Sequence, residues 1–342
     1  MKVGKVAVVA CVAGALLLTA CSSTSSTTTS SAPAAGTDSS APAAGGDTAA
    51  AASYKICEYT HGDGGGFWSV AKKGALQAQT DYNGKIMVDY QESNNDAAKQ
   101  AQLIEAGISG GCQGIAVSAP DPGAIKDALK KAEDAGIPVV TMNSGSKSYL
   151  ELGAITHVGQ DEFVAGQGAG LKFKALGVKK VLCPIHEASN VGLQERCAGL
   201  EDTFGKENVV EMQVTGLADP AKTGAEIQAK LEADPAIDAI FALNADIATK
   251  SAMPAADAAG RAIKIGTVDL SGEAVQAIKD GKLEFAIDQQ QFTQGYLPIV
   301  FLYLYLLNNN SVGGGLPVNT GPGFVTKDNA DTVLKLAAAG TR

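Results

Sequence analysis

The sequence has few aromatic residues, few histidines and little basic charge. Phe, Trp and Tyr make up 5% of the 342 residues, with a single Trp, and there are only three His. The scarcity of His and the absence of a Cys-x-x-Cys pair argue against a structural zinc site. Lys and Arg number 27 against 36 Asp and Glu, a net charge of −9, whereas a nucleic-acid binder needs a basic surface. We therefore expect no metal, no cofactor and no nucleic-acid partner.

Long hydrophobic runs are also missing, apart from a short leader. Lys2 and Lys5 precede an apolar stretch at 6–18, too short to span a bilayer and typical of a signal peptide over residues 1–20. The leader ends in LTAC, which resembles a bacterial lipobox. The resemblance implies cleavage before Cys21 and acylation of that cysteine; a plain signal peptide is the alternative.

Residues 21–53 are almost all Ser, Thr, Ala, Gly and Pro. The segment lacks apolar periodicity and aromatic residues, so it cannot offset the entropy of ordering, and we interpret it as a flexible tether. Leader, lipid and tether together predict an extracytoplasmic protein anchored by lipid to the cell membrane.

From Tyr54 onward, short β-branched runs alternate with Ala-rich helical stretches. The strand candidates are 54–60, 85–90, 114–119, 138–143, 179–184, 209–215, 239–243, 263–268 and 283–288. The helix candidates are 68–82, 97–108, 122–135, 162–175, 193–204, 221–232, 245–259 and 272–279. This alternation predicts an α/β fold with parallel sheets and helices on both faces. The pattern resets near 156–161, which indicates two similar lobes, and the hydrophobic stretch 299–307 predicts a buried helix.

Polar residues follow the predicted strands, where doubly wound sheets bind ligands. They are His61 and Asp63 in a glycine-rich loop, Asn143-Ser144, His186-Glu187 with Asn190 and Arg196, Asp219, Asn244, Asp269 and Gln289. Phe67 and Trp68 lie beside them. Planar amides, carboxylates and a guanidinium suit sugar hydroxyls, which both donate and accept, and a flat ring suits a sugar's C–H face. Helix capping is the alternative for Asn143, Asn244 or Asp269, and core packing for Trp68.

Several phrases resemble the type I sugar-binding proteins, the ribose/galactose-type substrate-binding components of ABC importers. They are GIPVVTMN (136–143), HVGQDE (157–162) with Ala165-Gly166, ER (195–196) with Gly199, IFALN (240–244), Asp269, and DGKL (280–283) with Gln289. The resemblance implies two Rossmann-like lobes joined by a three-strand hinge. The N-lobe would comprise 54–160 and 289–321, and the C-lobe 161–288 and 322–342.

The same resemblance implies a set of ligand-binding positions: Phe67, Trp68, Asn143, Ser144, Arg196, Asp219, Asn244, Asp269 and Gln289. We add His186 and Asn190 to this set because they follow a predicted strand. The ribose pattern has Asp-Arg where this chain has Asn143-Ser144, which argues against D-ribose itself. The predicted ligand is therefore another pentose, a hexose or a sugar alcohol. The resemblance further implies a monomer that closes around its ligand and docks on a membrane permease.

Four cysteines remain for disulfides in an oxidising compartment: Cys57, Cys112, Cys183 and Cys197. Three pairings are available. Cys57 lies in the first strand and Cys112 just before the third, and these strands are neighbours in the usual doubly wound order. We predict pairs 57–112 and 183–197, since a bond across the lobes would block closure; buried free thiols are the alternative.

Two other functions are open at this stage. An extracytoplasmic hydrolase would use His61, His186 or Glu187 as acid or base, although the sequence has no GxSxG or HExxH motif. A receptor for another small polar ligand, such as a furanosyl signal or a nucleoside, would stack a ring on Trp68.

Overall fold

The computed structural model describes residues 53–342 of the protein. The predicted leader (1–20), the lipidation site Cys21 and residues 22–52 of the predicted tether lie outside the described residues. Within residues 53–342, none of the helices combines the length and the apolarity that crossing a membrane requires.

Twelve strands form two sheets of six strands each. The strands are β1 Tyr54–Thr60, β2 Ile86–Glu92, β3 Gly114–Ser118, β4 Val139–Met142, β5 Thr156–Gln160, β6 Val181–Ile185, β7 Val209–Gln213, β8 Ala239–Ala242, β9 Lys264–Val268, β10 Phe285–Asp288, β11 Val318–Gly321 and β12 Gly323–Val325. The first sheet has the order β11-β5-β4-β3-β1-β2 and is parallel throughout. The second has the order β12-β10-β9-β8-β6-β7, and only β12 is antiparallel.

The helices connect these strands and cover both faces of each sheet, as parallel strands require. They are α1 Gly66–Asp81, α2 Ala97–Ser109, α3 Pro122–Asp134, α4 Glu162–Ala175, α5 Val191–Phe204, α6 Pro220–Ala233, α7 Ala245–Ile247, α8 Met253–Ala258, α9 Gly272–Lys279, α10 Gln291–Asn308 and α11 Ala330–Ala338. Several begin at an Asp whose side chain accepts from the backbone N–H three residues on, for example Asp96 before α2 and Asp161 before α4. Such caps satisfy N–H groups that the helix leaves free.

Each sheet and its helices form one lobe, here the N-lobe for the first sheet and the C-lobe for the second. The chain crosses between the sheets three times: from β5 to α4, from β10 to α10, and from β11 to β12. One buried cluster lies on each face of each sheet; Ile56 and Leu129 mark the two N-lobe clusters, and Cys183 and Leu182 the two C-lobe clusters. The predicted two-lobe α/β fold is confirmed.

The prediction of nine strands was wrong, because β5, β11 and β12 were not recognised. The sequence of β5 is THVGQ, yet all five residues are buried, since the strand lies between β4 and β11. The other two are short and contain Gly. The predicted helix 245–259 is interrupted by a π-helical turn at Ala248–Ala252. The predicted helix at 299–307 is confirmed within α10, and it is buried from Ile299 to Tyr303, whereas Leu307 is 51% exposed.

Each lobe contains one disulfide. Cys57 is bonded to Cys112 and Cys183 to Cys197, with Cα–Cα distances of 5.8 and 6.2 Å. Both bonds match the predicted pairing, and neither links the lobes.

Candidate functional site

A cavity lies between the lobes, lined mainly by residues that follow the C-terminal ends of strands. With the open solvent at its mouth counted, its empty volume is about 450 Å³. Its polar and aromatic lining comprises His61, Asp63, Phe67, Trp68, Asn143, Ser144, His186, Glu187, Asn190, Arg196, Asn244, Asp269 and Gln289. We call it the inner cavity.

The inner cavity brings together most of the residues predicted from the sequence. They are Phe67, Trp68, Asn143, Ser144, His186, Asn190, Arg196, Asn244, Asp269 and Gln289. Asp219 does not join them. It is exposed and caps α6, where its carboxylate accepts a hydrogen bond from the backbone N–H of Lys222 at 3.0 Å. The loop after β7 therefore uses its Asp to begin a helix rather than to line the cavity.

Asp269 is the centre of a hydrogen-bonded group on the C-lobe side. Its Oδ1 accepts from Gln289 Nε2 at 2.5 Å and its Oδ2 from Asn244 Nδ2 at 3.1 Å. Asp269 is 4% exposed, and this burial raises its pKa to about 7, against the opposing effects of Arg196 and Gln289. Asp269 can therefore present either a carboxylate or a carboxylic acid to a ligand near neutral pH.

Arg196 is held rigidly by a buried carboxylate. Its Nε and Nη2 donate to the two oxygens of Glu162 at 2.6 and 2.9 Å, and its Nη1 donates to Leu243 O at 2.8 Å. Gln160 Nε2 donates to the same carboxylate at 2.8 Å. A guanidinium has five N–H donors, so two are left for a ligand. The pair contributes no net charge, which favours a neutral guest.

A second group of hydrogen bonds joins the two lobes. The Ser144 hydroxyl lies 3.1 Å from both Asn143 Oδ1 and Asn190 Oδ1, and its single proton can go to one oxygen at a time. Asn190 also caps α5 by accepting from the Gly192 N–H at 3.0 Å. Next to it, the backbone N–H of Val191 donates to Pro120 O at 3.0 Å. The lobes thus meet at the start of α5.

An aromatic wall closes one side of the inner cavity. Trp68 is 6% exposed and packs edge-on against His61 and Phe67, with ring centroids 4.7 and 4.9 Å apart. These rings belong to the core of the N-lobe and also line the cavity. Core packing and a place in the site, treated above as alternatives for Trp68, hold together.

Three polar residues of the lining were missing from the predicted set: His61, Asp63 and Glu187. They follow β1 and β6, so their positions at strand ends were the available signal. His61 Nδ1 lies 2.7 Å from Ser118 Oγ. The Ser118 oxygen also accepts from the backbone N–H of His61. On its other side, His61 Nε2 lies 3.4 Å from Asn190 Nδ2 and 3.7 Å from Glu187 Oε2, both of the C-lobe.

The arrangement suits binding rather than bond breaking. Ser118 is completely buried, so the Ser118–His61–Glu187 series offers a substrate no nucleophile. Among residues 53–342, no group of three His, Cys, Asp or Glu side chains is placed to hold a metal ion. The cavity instead presents paired donors and acceptors at short range, which a ligand with several hydroxyl groups can engage at once.

Comparisons with known proteins agree with this geometry. The family model of the periplasmic binding protein domain matches residues 59–310. A carbohydrate transporter from Acidothermus cellulolyticus, solved in complex with myo-inositol, is 40% identical with a TM-score of 0.81, over 85% of this chain and all of that one.

Curated relatives are more distant. The xylose/arabinose-binding protein of Sulfolobus acidocaldarius is 28% identical over 70% of this chain and 63% of its own length, so the match spans less than two thirds of that protein. The ribose import binding protein of Salmonella typhimurium is 28% identical over 64% of this chain and 74% of its own. With the family model covering most of the described residues, the chain belongs to the periplasmic binding protein family.

Proposed function

We propose that this protein is an extracytoplasmic lipoprotein that binds a polyol of monosaccharide size and delivers it to the permease of an ABC importer by closing its lobes. The ligand is a pentose, a hexose or a sugar alcohol, cyclitols included. One observation carries the proposal: amide, carboxylate, guanidinium and hydroxyl groups from both lobes line one cavity beside an aromatic wall.

The hydrogen bonds within the inner cavity leave capacity for a ligand. The Asp269 carboxylate accepts two bonds and has room for about four. Arg196 retains two N–H groups after binding Glu162 and Leu243. An epimer that leaves one of these buried groups unpaired loses about 1–3 kcal/mol. Discrimination among sugars follows from this cost.

The relatives support the same ligand class. The 40% identical structure contains myo-inositol, and the curated relatives are described as binding xylose and arabinose, or ribose. Each of these is a small neutral polyol. The family consists of binding proteins, which disfavours the hydrolase considered from the sequence. A nucleoside or furanosyl signal remains the second candidate, because Trp68 lines the cavity.

Thermal unfolding in the presence of pentoses, hexoses, cyclitols, alditols and nucleosides tests the proposal. We expect one or more neutral polyols to raise the melting temperature, since a ligand at 100 times its Kd stabilises the folded state by about 2.7 kcal/mol. Trp68 is the only tryptophan, so its emission should change in the same titrations. If the polyols have no effect and a nucleoside stabilises, the ligand class is wrong.

A matched pair of variants tests the site itself. Gln289→Ala removes a donor to Asp269 and should weaken polyol binding at least tenfold, by isothermal titration calorimetry. Asp219→Ala should leave the affinity unchanged and lower stability by about 1 kcal/mol, the typical effect of losing a helix cap. Loss of binding in Asp219→Ala, or full binding in Gln289→Ala, would place the site elsewhere.

A further inference from the structure

One segment of the C-lobe, closed by a disulfide, carries much of the candidate site. The bond between Cys183 and Cys197 joins β6 to α5 across a sequence separation of 14. We call residues 183–197 the disulfide segment. Five of its residues line the inner cavity: His186, Glu187, Asn190, Leu193 and Arg196.

The loop at 186–190, in the middle of this segment, has few ties to its own lobe. Asn190 Nδ2 donates to Glu187 Oε2 at 2.5 Å, a bond within the segment, and Asn190 Oδ1 lies 3.1 Å from the Ser144 hydroxyl of the N-lobe. Among the hydrogen bonds of residues 53–342, none joins this loop to a C-lobe residue outside the disulfide segment. The loop is therefore bonded to itself, to α5 and to the opposite lobe.

Separation of the lobes breaks the bonds to the N-lobe and leaves the loop held by its two ends. The first end is β6, which lies between β7 and β8 in the sheet. The second end is the start of α5, and the disulfide ties this helix directly to β6. Both Cys183 and Cys197 are completely buried, so the bond belongs to the core of the C-lobe. A covalent bond across a short loop restricts the conformations of the residues within it.

We propose that the Cys183–Cys197 disulfide is a positioning element of the ligand site, which holds the loop at 186–190 in its binding arrangement while the lobes are open. The inference rests on the proposed function and deepens it. Without the bond, the loop must be ordered when the ligand binds, and this ordering opposes binding through entropy.

The other disulfide provides the matched control. Cys57 lies in β1, which is paired on both sides by β2 and β3, and its bond to Cys112 spans a sequence separation of 55. The sheet already fixes the strand that leads to the N-lobe part of the site. Loss of this bond should therefore lower stability without disturbing the inner cavity.

Calorimetry with myo-inositol and the other neutral polyols of the thermal panel tests the inference, well below the melting temperature of each protein. Cys183→Ala/Cys197→Ala should bind about tenfold more weakly than the wild type, with the loss in the entropy of binding. Cys57→Ala/Cys112→Ala should keep the wild-type affinity. A bond that serves stability alone would lower the melting temperature and leave the affinity of the folded protein unchanged.

Two further measurements separate the bond from the side chains. The Cys57→Ala/Cys112→Ala protein, refolded with and without a phosphine reductant, differs only in the Cys183–Cys197 bond, and the reduced form should bind about tenfold more weakly. In the ligand-free proteins, the backbone amides of 186–190 should exchange hydrogen faster when the bond is absent, and a saturating polyol should slow this exchange.

Equal affinities and equal exchange rates with and without the bond would overturn the inference and leave the polyol site standing. If the protein folds neither as Cys183→Ala/Cys197→Ala nor in the reduced form, the bond serves folding itself and the inference is also overturned. If the wild type binds no polyol, the proposed function fails, whereas the exchange of the ligand-free proteins still reports whether the bond orders the loop.

Discussion

Residues just past the strand ends hold backbone conformations that side chains rarely adopt. Asn143 and Asp269 have φ values of 59° and 74°, and Gln290, next to Gln289, has 56°. Such conformations cost of order 1–3 kcal/mol each and persist where the surroundings impose them. Here the backbone N–H of Asn143 donates to Val158 O and that of Asp269 to Ile287 O. Both side chains line the inner cavity.

Asp269 should make stability depend on pH. Its pKa is about 7 in the folded protein and 3.8 ordinarily, so between these values the folded state holds a proton that the unfolded state has released. Stability from this group is fully present below pH 4 and is lost as pH rises toward 7, by at most about 1.4 kcal/mol per pH unit. Urea unfolding of the ligand-free protein from pH 4 to 8 should show the wild type losing stability relative to Asp269→Asn.

The comparison with Asp269→Asn isolates this residue. Burial also raises the pKa of Glu58, a carboxyl without a hydrogen-bond partner, and Glu58 is common to both proteins, so its effect cancels. A difference in unfolding free energy that stays constant with pH would contradict the assignment.

Capping and ligand binding are not exclusive at the residue scale. Asn244 accepts the Asp246 N–H at 2.8 Å through Oδ1 and donates to Asp269 through Nδ2. The sequence pointed to both roles for such residues. It did not point to Glu162, because a carboxylate in the first turn of a helix has no local feature that predicts its pairing with Arg196.

At the scale of elements, glycines set how closely two helix pairs approach. A methyl group on Gly199 of α5 would collide with the backbone oxygen of Phe163 in α4, and one on Gly295 of α10 with that of Ala71 in α1. One such pair lies in each lobe. Because α5 carries Arg196 and begins at the Asn190 cap, its distance from α4 also positions the site.

Gly199→Ala should therefore destabilise the protein by about 1–3 kcal/mol, the usual effect of overpacking, and should weaken polyol binding by displacing Arg196. Chemical denaturation and calorimetry measure the two effects. Gly123→Ala is the matched control: the added methyl meets only ordinary contacts near the start of α3, so stability should stay the same or rise by about 0.4–1 kcal/mol. Equal stabilities of the two variants would show that α4 and α5 can separate freely.

At the scale of the whole molecule, the lobes are in contact through individually weak non-covalent bonds, which include an ion pair between Lys147 and Glu195 and a hydrogen bond from Lys73 to Ala339 O. Ser144 to Asn190 and Val191 to Pro120 are two of them, and a net hydrogen bond contributes about 1 kcal/mol. Both disulfides lie within lobes, so the covalent links between the lobes are the three crossings. These features allow hinge motion, in which a ligand shifts the population by its preference for the closed state.

Small-angle scattering should detect this motion. We expect the radius of gyration to fall when a saturating polyol is added, because the ligand adds bonds that span the cleft. Ser144→Ala removes one hydrogen bond between the lobes. The radius of gyration of the ligand-free variant should equal or exceed that of the wild type, and a saturating polyol should still reduce it. An identical radius of gyration with and without a ligand that binds would rule out closure.

The α/β class, the two lobes and the pairing of Cys57 with Cys112 and of Cys183 with Cys197 were predictable from the sequence, and most of the cavity lining was predictable from strand ends together with the family resemblance. These properties follow from local patterns, since strand and helix periods repeat along the chain and residues after parallel strands gather at one edge. Three features became visible only in the folded chain: β5 is a buried strand despite its polar residues, Asp219 is exposed to solvent, and Glu162 holds Arg196. Each of these features depends on which distant segment of the chain packs against the residue. The local sequence does not specify that segment.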